Sequence, residues 1–200
     1  MSKIQAVLLD IGNVLIDVDI ERSKKAFKLK SFNKEAFENF KNWEPHHQFE
    51  KGQISVEQFT KHMSDKLEMR LNVEKLKDGW NACIGEAFPG MLELLTEARK
   101  NVSLFALSNT NELHYQVFAN YEIFNCFDEF LLSHEQGHRK PEVEFFEKAI
   151  HIAGYGPSEI LYVDDLEENL EAGKALGLNV EHCKNSTEDL KSIFQKYFII

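Results

Sequence analysis

The stretch Ile4-Gln5-Ala6-Val7-Leu8-Leu9-Asp10 decides the fold. It is a short, nearly continuous apolar run that ends in a carboxylate, the pattern of a strand buried on both faces. Three other runs share it, Val102 to Ser108, Phe130 to Ser133 and Ile160 to Asp165, and Asn179 to Cys183 is a weaker fifth. Between the last four lie helical patterns, Thr110 to Phe118, Pro141 to Ala153 and Leu166 to Leu176. Pro141 is read as a first-turn proline, and Gly154 and Gly177 as helix stops. Strand alternating with helix predicts an α/β protein built on a doubly wound, Rossmann-like parallel sheet.

The alternation breaks over residues 17–87. No convincing strand occurs there, but three amphipathic stripes do: Ala36, Phe37, Phe40 and Trp43; Val56, Phe59, Met63 and Leu67, opened by a Ser55…Gln58 capping box; and Val73, Leu76, Trp80 and Cys83/Ile84. The expected organisation is an α/β core from 1–16 and 88–200, interrupted after its first strand by a helical-bundle cap over 17–87.

With 23 basic against 33 acidic residues the chain carries a formal charge of −10. That balance repels polyanions and anionic lipid, so neither nucleic acid nor a membrane surface is an expected partner. A small phosphorylated ligand is compatible if a cation shields it. Cys83, Cys126 and Cys183 are widely spaced and odd in number, so reduced thiols in a cytoplasmic setting are expected. The apolar start runs into Asp10 too soon for a signal peptide, and no run approaches the roughly 18 residues of a membrane span.

Asp10, Ser108-Asn109-Thr110, Lys140 and Asp164-Asp165 all fall at or just beyond the C-terminal ends of predicted strands or in the loops that follow them. Ligands of open α/β sheets bind at that edge. His46-His47 is read as surface, because neighbours on a helix point about 100° apart. His134 and His138 flank a loop near the same edge. The apolar terminus Tyr197-Phe198-Ile199-Ile200 is expected to dock on the sheet.

These residues make the chain resemble the haloacid dehalogenase superfamily, mostly phosphatases that work through an aspartyl-phosphate. Asp10-Ile11-Gly12-Asn13-Val14-Leu15, Ser108, Lys140 and Asp164-Asp165 match its four motifs in order. The α-D-glucose 1-phosphate phosphatase-like branch is similar in Asp10-Ile11-Gly12-Asn13-Val14, Leu107-Ser108-Asn109-Thr110-Asn111 and Arg139-Lys140-Pro141. It is similar also in a cap segment with His47-Gln48 and Glu50-x-Gly52-x-Ile54-Ser55.

The resemblance implies Asp10 as nucleophile and ligand of a Mg²⁺ ion, with Asp165 and the Gly12 carbonyl as further ligands. Asp164 would be another ligand or would support them. Such an ion is needed on physical grounds, since each pair of like charges at about 4 Å costs roughly 4 kcal/mol at an effective dielectric near 20. Lys140 would neutralise the nucleophile, Ser108 and Asn109 would face the phosphate, and His47 and Glu50 would contact the sugar. One position departs from most phosphatases of the superfamily, which carry an aspartate as general acid and base where Gly12 stands. The expected activity is Mg²⁺-dependent hydrolysis of a small phosphorylated metabolite such as glucose 1-phosphate. A metal-free dehalogenase, or a non-catalytic phosphate-binding member that lost turnover through Gly12, are the alternatives.

Overall fold

Every side chain of the first strand, β1 (Ala6–Leu9), is buried. The computed structural model describes residues 3–29, 39–183 and 186–200. From β1 the chain turns into a short strand, β2 (Ile16–Val18), and then into helices α1 (Ile20–Ala26), α2 (Glu44–Glu50), α3 (Val56–Lys66) and α4 (Val73–Asn81). Strand β3 (Ile84–Ala87) returns antiparallel to β2. Helix α5 (Met91–Ala98) leads back to the sheet, and the chain then alternates: β4 (Ser103–Ser108), α6 (Glu112–Phe118), β5 (Glu129–Leu132), α7 (Ser133–Gln136), α8 (Val143–Ala153), β6 (Ile160–Asp164), α9 (Glu167–Ala175), β7 (Asn179–His182) and α10 (Thr187–Lys196).

The main sheet has the order β5-β4-β1-β6-β7 and is parallel throughout. Alternate residues of β1 feed two apolar layers. Val7 and Leu9 pack with Leu104, Ala106, Leu161 and Val163 under α5 and α10. Ala6 and Leu8 pack with Phe105, Leu107 and Tyr162 under α8 and α9. Layers on both faces explain why this strand shows no polar alternation. Truncating Leu8 or Leu9 to alanine in such a site costs about 2–5 kcal/mol.

Residues between β2 and β3 build a third apolar cluster around Phe49, Phe59, Met63, Leu76 and Trp80, which Leu113 of α6 joins from the other side. Ser55 opens α3 with both bonds of the capping box. Of the stripe that begins at Ala36, positions 36 and 37 lie outside the described residues, Phe40 sits in a 3₁₀ turn (Asn39–Asn42), and Trp43 precedes α2.

Several expectations need correction. The stretch 17–87 is not purely helical, because β2 and β3 form a ribbon at its base; each is too short, and β3 too interrupted by Gly85 and Glu86, to carry a period. Pro141 stands two residues before α8, not in its first turn. At the terminus Ile199 is buried, but Phe198 points outward at 90% exposure. Cys83, Cys126 and Cys183 are buried and form no disulfide. Among the described residues no helix is long and apolar enough to cross a membrane.

Candidate active site

Parallel pairing of β1 with β4 and β6 brings the loops after these strands to one edge. Asp10 follows β1, Ser108 ends β4, and Asp164 ends β6, so the register places them side by side. Lys140 arrives from the loop between α7 and α8. Its Nζ lies 2.8 Å from Asp10 Oδ1 and 2.6 Å from Asp164 Oδ2, and its side chain is 1% exposed. Oxygens of Asp10, Asp164 and Asp165 all lie within 4.8 Å of one another.

The two carboxylates that share Lys140 are not equivalent. Asp164 accepts four hydrogen bonds, from Lys140 Nζ, Tyr162 Oη, the Leu166 N–H at 2.8 Å and Asn169 Nδ2 at 3.0 Å. Burial pushes its pKa up, but the Lys140 charge and these donors outweigh it and hold the carboxyl below its usual range. Among the described residues the Asp10 carboxylate has only Lys140 as partner. Burial dominates there, the Lys140 charge opposes it, and Asp164 and Asp165 add repulsion, so Asp10 is pushed up to about 7. Asp165 is raised by burial and by Asp164, against a bond from Asn13 Nδ2 at 3.3 Å. Burial pulls Lys140 down, yet the attraction of Asp10 and Asp164 holds it above its usual value.

Three carboxylates against one ammonium leave an excess of negative charge, and the raised Asp10 registers that deficit. The donors are all hard oxygens, which suits a divalent ion such as Mg²⁺. Asp164 has its lone pairs taken by protein donors. Asp10 and Asp165 retain free oxygen positions, and the Gly12 carbonyl accepts no hydrogen bond from a described residue. These three groups fit such an ion, while Asp164 anchors Lys140.

A cavity of about 760 Å³ opens above these groups. Asp10, Gly12, Asn109, Lys140 and Asp165 line it from the core, and His46, His47 and Glu50 line it from α2. Ser108 is buried at the edge and its hydroxyl makes no hydrogen bond to a described residue. The Asn109 amide brackets the backbone of Lys140 (Oδ1 to N–H 2.7 Å, Nδ2 to C=O 2.9 Å) and so shapes the loop at the cavity wall. The two carboxylate oxygens of Glu50 lie 2.8 Å from Arg139 Nε and 3.6 Å from His46 Nε2, and because burial lowers the His46 pKa, Arg139 is the cation of this trio. His46 is not a surface residue. It is largely buried against the rings of Phe40 and Trp80. His134 borders a separate cleft with Gly52 and Glu112, and His138 pairs with Glu142.

Tyr162, Asn169, Asn13, Arg139 and Ser133 are the supporting residues that sequence reasoning missed. Ser133 clasps Thr110 as Asn109 clasps Lys140, bonding its N–H and C=O at 2.9 Å each. Asn13 and Arg139 carried a sequence signal, one next to Gly12 in the first motif and the other next to Lys140 in the third; the Asn13 φ of 57° suits asparagine. Tyr162, Asn169 and Ser133 read as ordinary strand, helix or loop positions.

A curated relative, D-ribitol-5-phosphate phosphatase of Bacteroides thetaiotaomicron, is 28% identical over 195 residues, covering 92% of this chain and 94% of that protein. A sesquiterpene phosphatase of Aspergillus oryzae is 26% identical over 197 residues, covering 91% of each. A crystal structure of a HAD family enzyme from Bacteroides thetaiotaomicron, solved with magnesium and inorganic phosphate, superposes with a TM-score of 0.83 at 28% identity, over 96% of this chain and 99% of that one. Residues 4–177 match the family described as haloacid dehalogenase-like hydrolase, so motif order, sheet order and relatives agree, and the chain belongs to that family.

Proposed function

We propose that this hydrolase is a Mg²⁺-dependent phosphatase of small phosphorylated sugars or sugar alcohols, working through an acylphosphate on Asp10. The convergence of Asp10, Asp165 and Lys140 on one cavity supports it most directly: a nucleophilic carboxylate, free oxygen positions for a hard cation and a buried ammonium lie within one site. The bound ion would supply the positive charge that lets a carboxylate approach a phosphate. Lys140, locked between Asp10 and Asp164, holds the nucleophile in place and offsets part of its charge. An Asp10 oxygen attacks phosphorus, the bond to the leaving oxygen breaks, and water then cleaves the acylphosphate to release phosphate and free Asp10. The cap shelters this sequence from bulk solvent.

Ribitol 5-phosphate is a candidate substrate because a relative of nearly equal length bears that activity in its name. Glucose 1-phosphate is a second one, supported by the motif likeness and by Gly12. An anomeric hydroxyl is a more acidic leaving group than a primary alcohol, so it needs less help from the general acid that Gly12 omits. Both compounds belong in one assay of phosphate release with and without Mg²⁺, beside Asp10→Asn. Release that needs Mg²⁺ and vanishes in the variant is expected; an equally active Asp10→Asn protein refutes the mechanism.

A further inference from the structure

The loop that delivers Lys140 is also where the cap meets the core. Three consecutive residues make the contact. Glu50 receives Arg139 Nε, Lys51 Nζ lies 3.2 Å from Glu142 Oε1, and Gly52, at φ +64°, packs so tightly that a Cβ there would fall 2.2 Å from the His134 carbonyl oxygen. Glu50 is nearly buried, and one of its carboxylate oxygens is committed to Arg139.

Arg139 is held differently. Its Nε bonds Glu50, its backbone N–H donates to Glu142 Oε2 at 3.3 Å, and its two terminal amines make no hydrogen bond to a described residue. The side chain lines the cavity directly beside Lys140. A guanidinium pinned along one edge presents its remaining N–H groups in a fixed fan, with little orientation entropy left to lose. The Glu50 charge offsets that of Arg139, so the pair as a whole does not call for a second anion. It offers donors to neutral oxygen atoms.

We propose that Arg139 is the specificity-determining residue of this site, donating its terminal amines to hydroxyl oxygens of a neutral, polyhydroxylated leaving group, with Glu50 and His46 as positioning residues that aim it. This rests on the phosphatase reading above and assigns it a substrate class. It also replaces the expected direct contact between Glu50 and sugar with one made through Arg139.

The test compares two alkyl phosphates of equal carbon number, ribitol 5-phosphate and n-pentyl phosphate, in the presence of Mg²⁺. In Arg139→Met the ratio of kcat/KM for ribitol over pentyl phosphate is expected to fall on the order of 10- to 100-fold, the worth of hydrogen bonds to a charged donor. The fall should come mainly through KM for the ribitol ester. Arg139→Lys, which keeps the charge and loses the fork, should recover part of the ratio, and Glu50→Gln should lower it in the same direction. Melting temperatures show which variants fold, and Arg139→Lys and Glu50→Gln carry the test if the methionine variant does not. Equal losses on both esters, or an unmoved ratio, overturn the proposal while leaving a phosphatase. Wild-type protein silent on both esters and on phenyl phosphate overturns the phosphatase reading, and this one with it.

Discussion

Asn109 brackets Lys140: its carboxamide oxygen accepts from the Lys140 N–H at 2.7 Å and its nitrogen donates to the Lys140 carbonyl at 2.9 Å. One side chain thereby fixes the peptide plane on both sides of the residue whose ammonium holds Asp10. Two paired bonds leave the loop after β4 and the loop before α8 little freedom to slide past each other.

Removing that bracket should slow chemistry more than it weakens binding. Asn109→Ala is expected to lose about 10- to 100-fold in kcat, because a misplacement of order 1 Å at a reacting group has such an effect. It should also lose about 1–3 kcal/mol of stability through the unpaired Lys140 peptide groups. Steady-state kinetics with a denaturation curve check both, and an unchanged kcat would show that Lys140 needs no such support.

Cation binding should depend on pH through Asp10. With its pKa raised to about 7, the carboxyl holds a proton below that value, and the proton must leave before the oxygen can serve a metal. Affinity for Mg²⁺ is therefore expected to weaken about tenfold per pH unit on going down from pH 7 and to level off above it. The rise in melting temperature on adding Mg²⁺, measured at pH 6 and pH 8, reads this without any substrate. A shift of equal size at both pH values would contradict the raised pKa.

Acid should destabilise the seam between α6 and the cap. His114 is partly buried, stacked on Trp80 with ring centroids 5.2 Å apart, and within 3.2 Å of the Trp80 carbonyl. Burial lowers its pKa from 6.5 to about 4. Between those values the unfolded chain takes a proton that the folded imidazole refuses. Stability from this group is complete above pH 6.5 and falls as pH drops toward 4, by about 3 kcal/mol in all. His114→Gln, which cannot titrate, should show a shallower fall in melting temperature over the same window. Parallel curves for the two proteins would assign the acid sensitivity elsewhere.

Restoring a carboxylate at Gly12 tests the leaving-group argument. A Cβ there would meet only the Val18 Cγ2 methyl, at 3.3 Å, so Gly12→Asp should fold with a small adjustment of that side chain. A positioned proton donor is worth about 10²- to 10⁴-fold, most for poor leaving groups. Activity should therefore rise more on glucose 6-phosphate than on glucose 1-phosphate. An equal or smaller gain on the 6-phosphate would refute the idea that substrate acidity compensates for the missing acid.

The sequence by itself determined the sheet and the polar residues that meet at its edge. Ala6 to Asp10, Val102 to Ser108 and Ile160 to Asp165 are legible because a strand covered on both faces must be apolar throughout, and because polar residues at its end have only the sheet edge to occupy. Those constraints are local, so Asp10, Lys140, Asp164 and Asp165 stand out without coordinates. The ribbon of β2 and β3 was not legible, since two strands of 3 and 4 residues are stabilised by each other across a gap of more than sixty positions. Only the tertiary structure decided which acid does what. Asp164 and Asp165 are neighbours in the chain, yet one faces four donors and the other borders the cavity. It likewise decided that Glu50 pairs with Arg139 and that His46 packs against the rings of Phe40 and Trp80. A carboxylate's role follows from the donors, charges and water around it; Asp164 draws three donors from within five residues, but Lys140, Arg139 and Asn13 reach Asp164, Glu50 and Asp165 across 24, 89 and 152 positions.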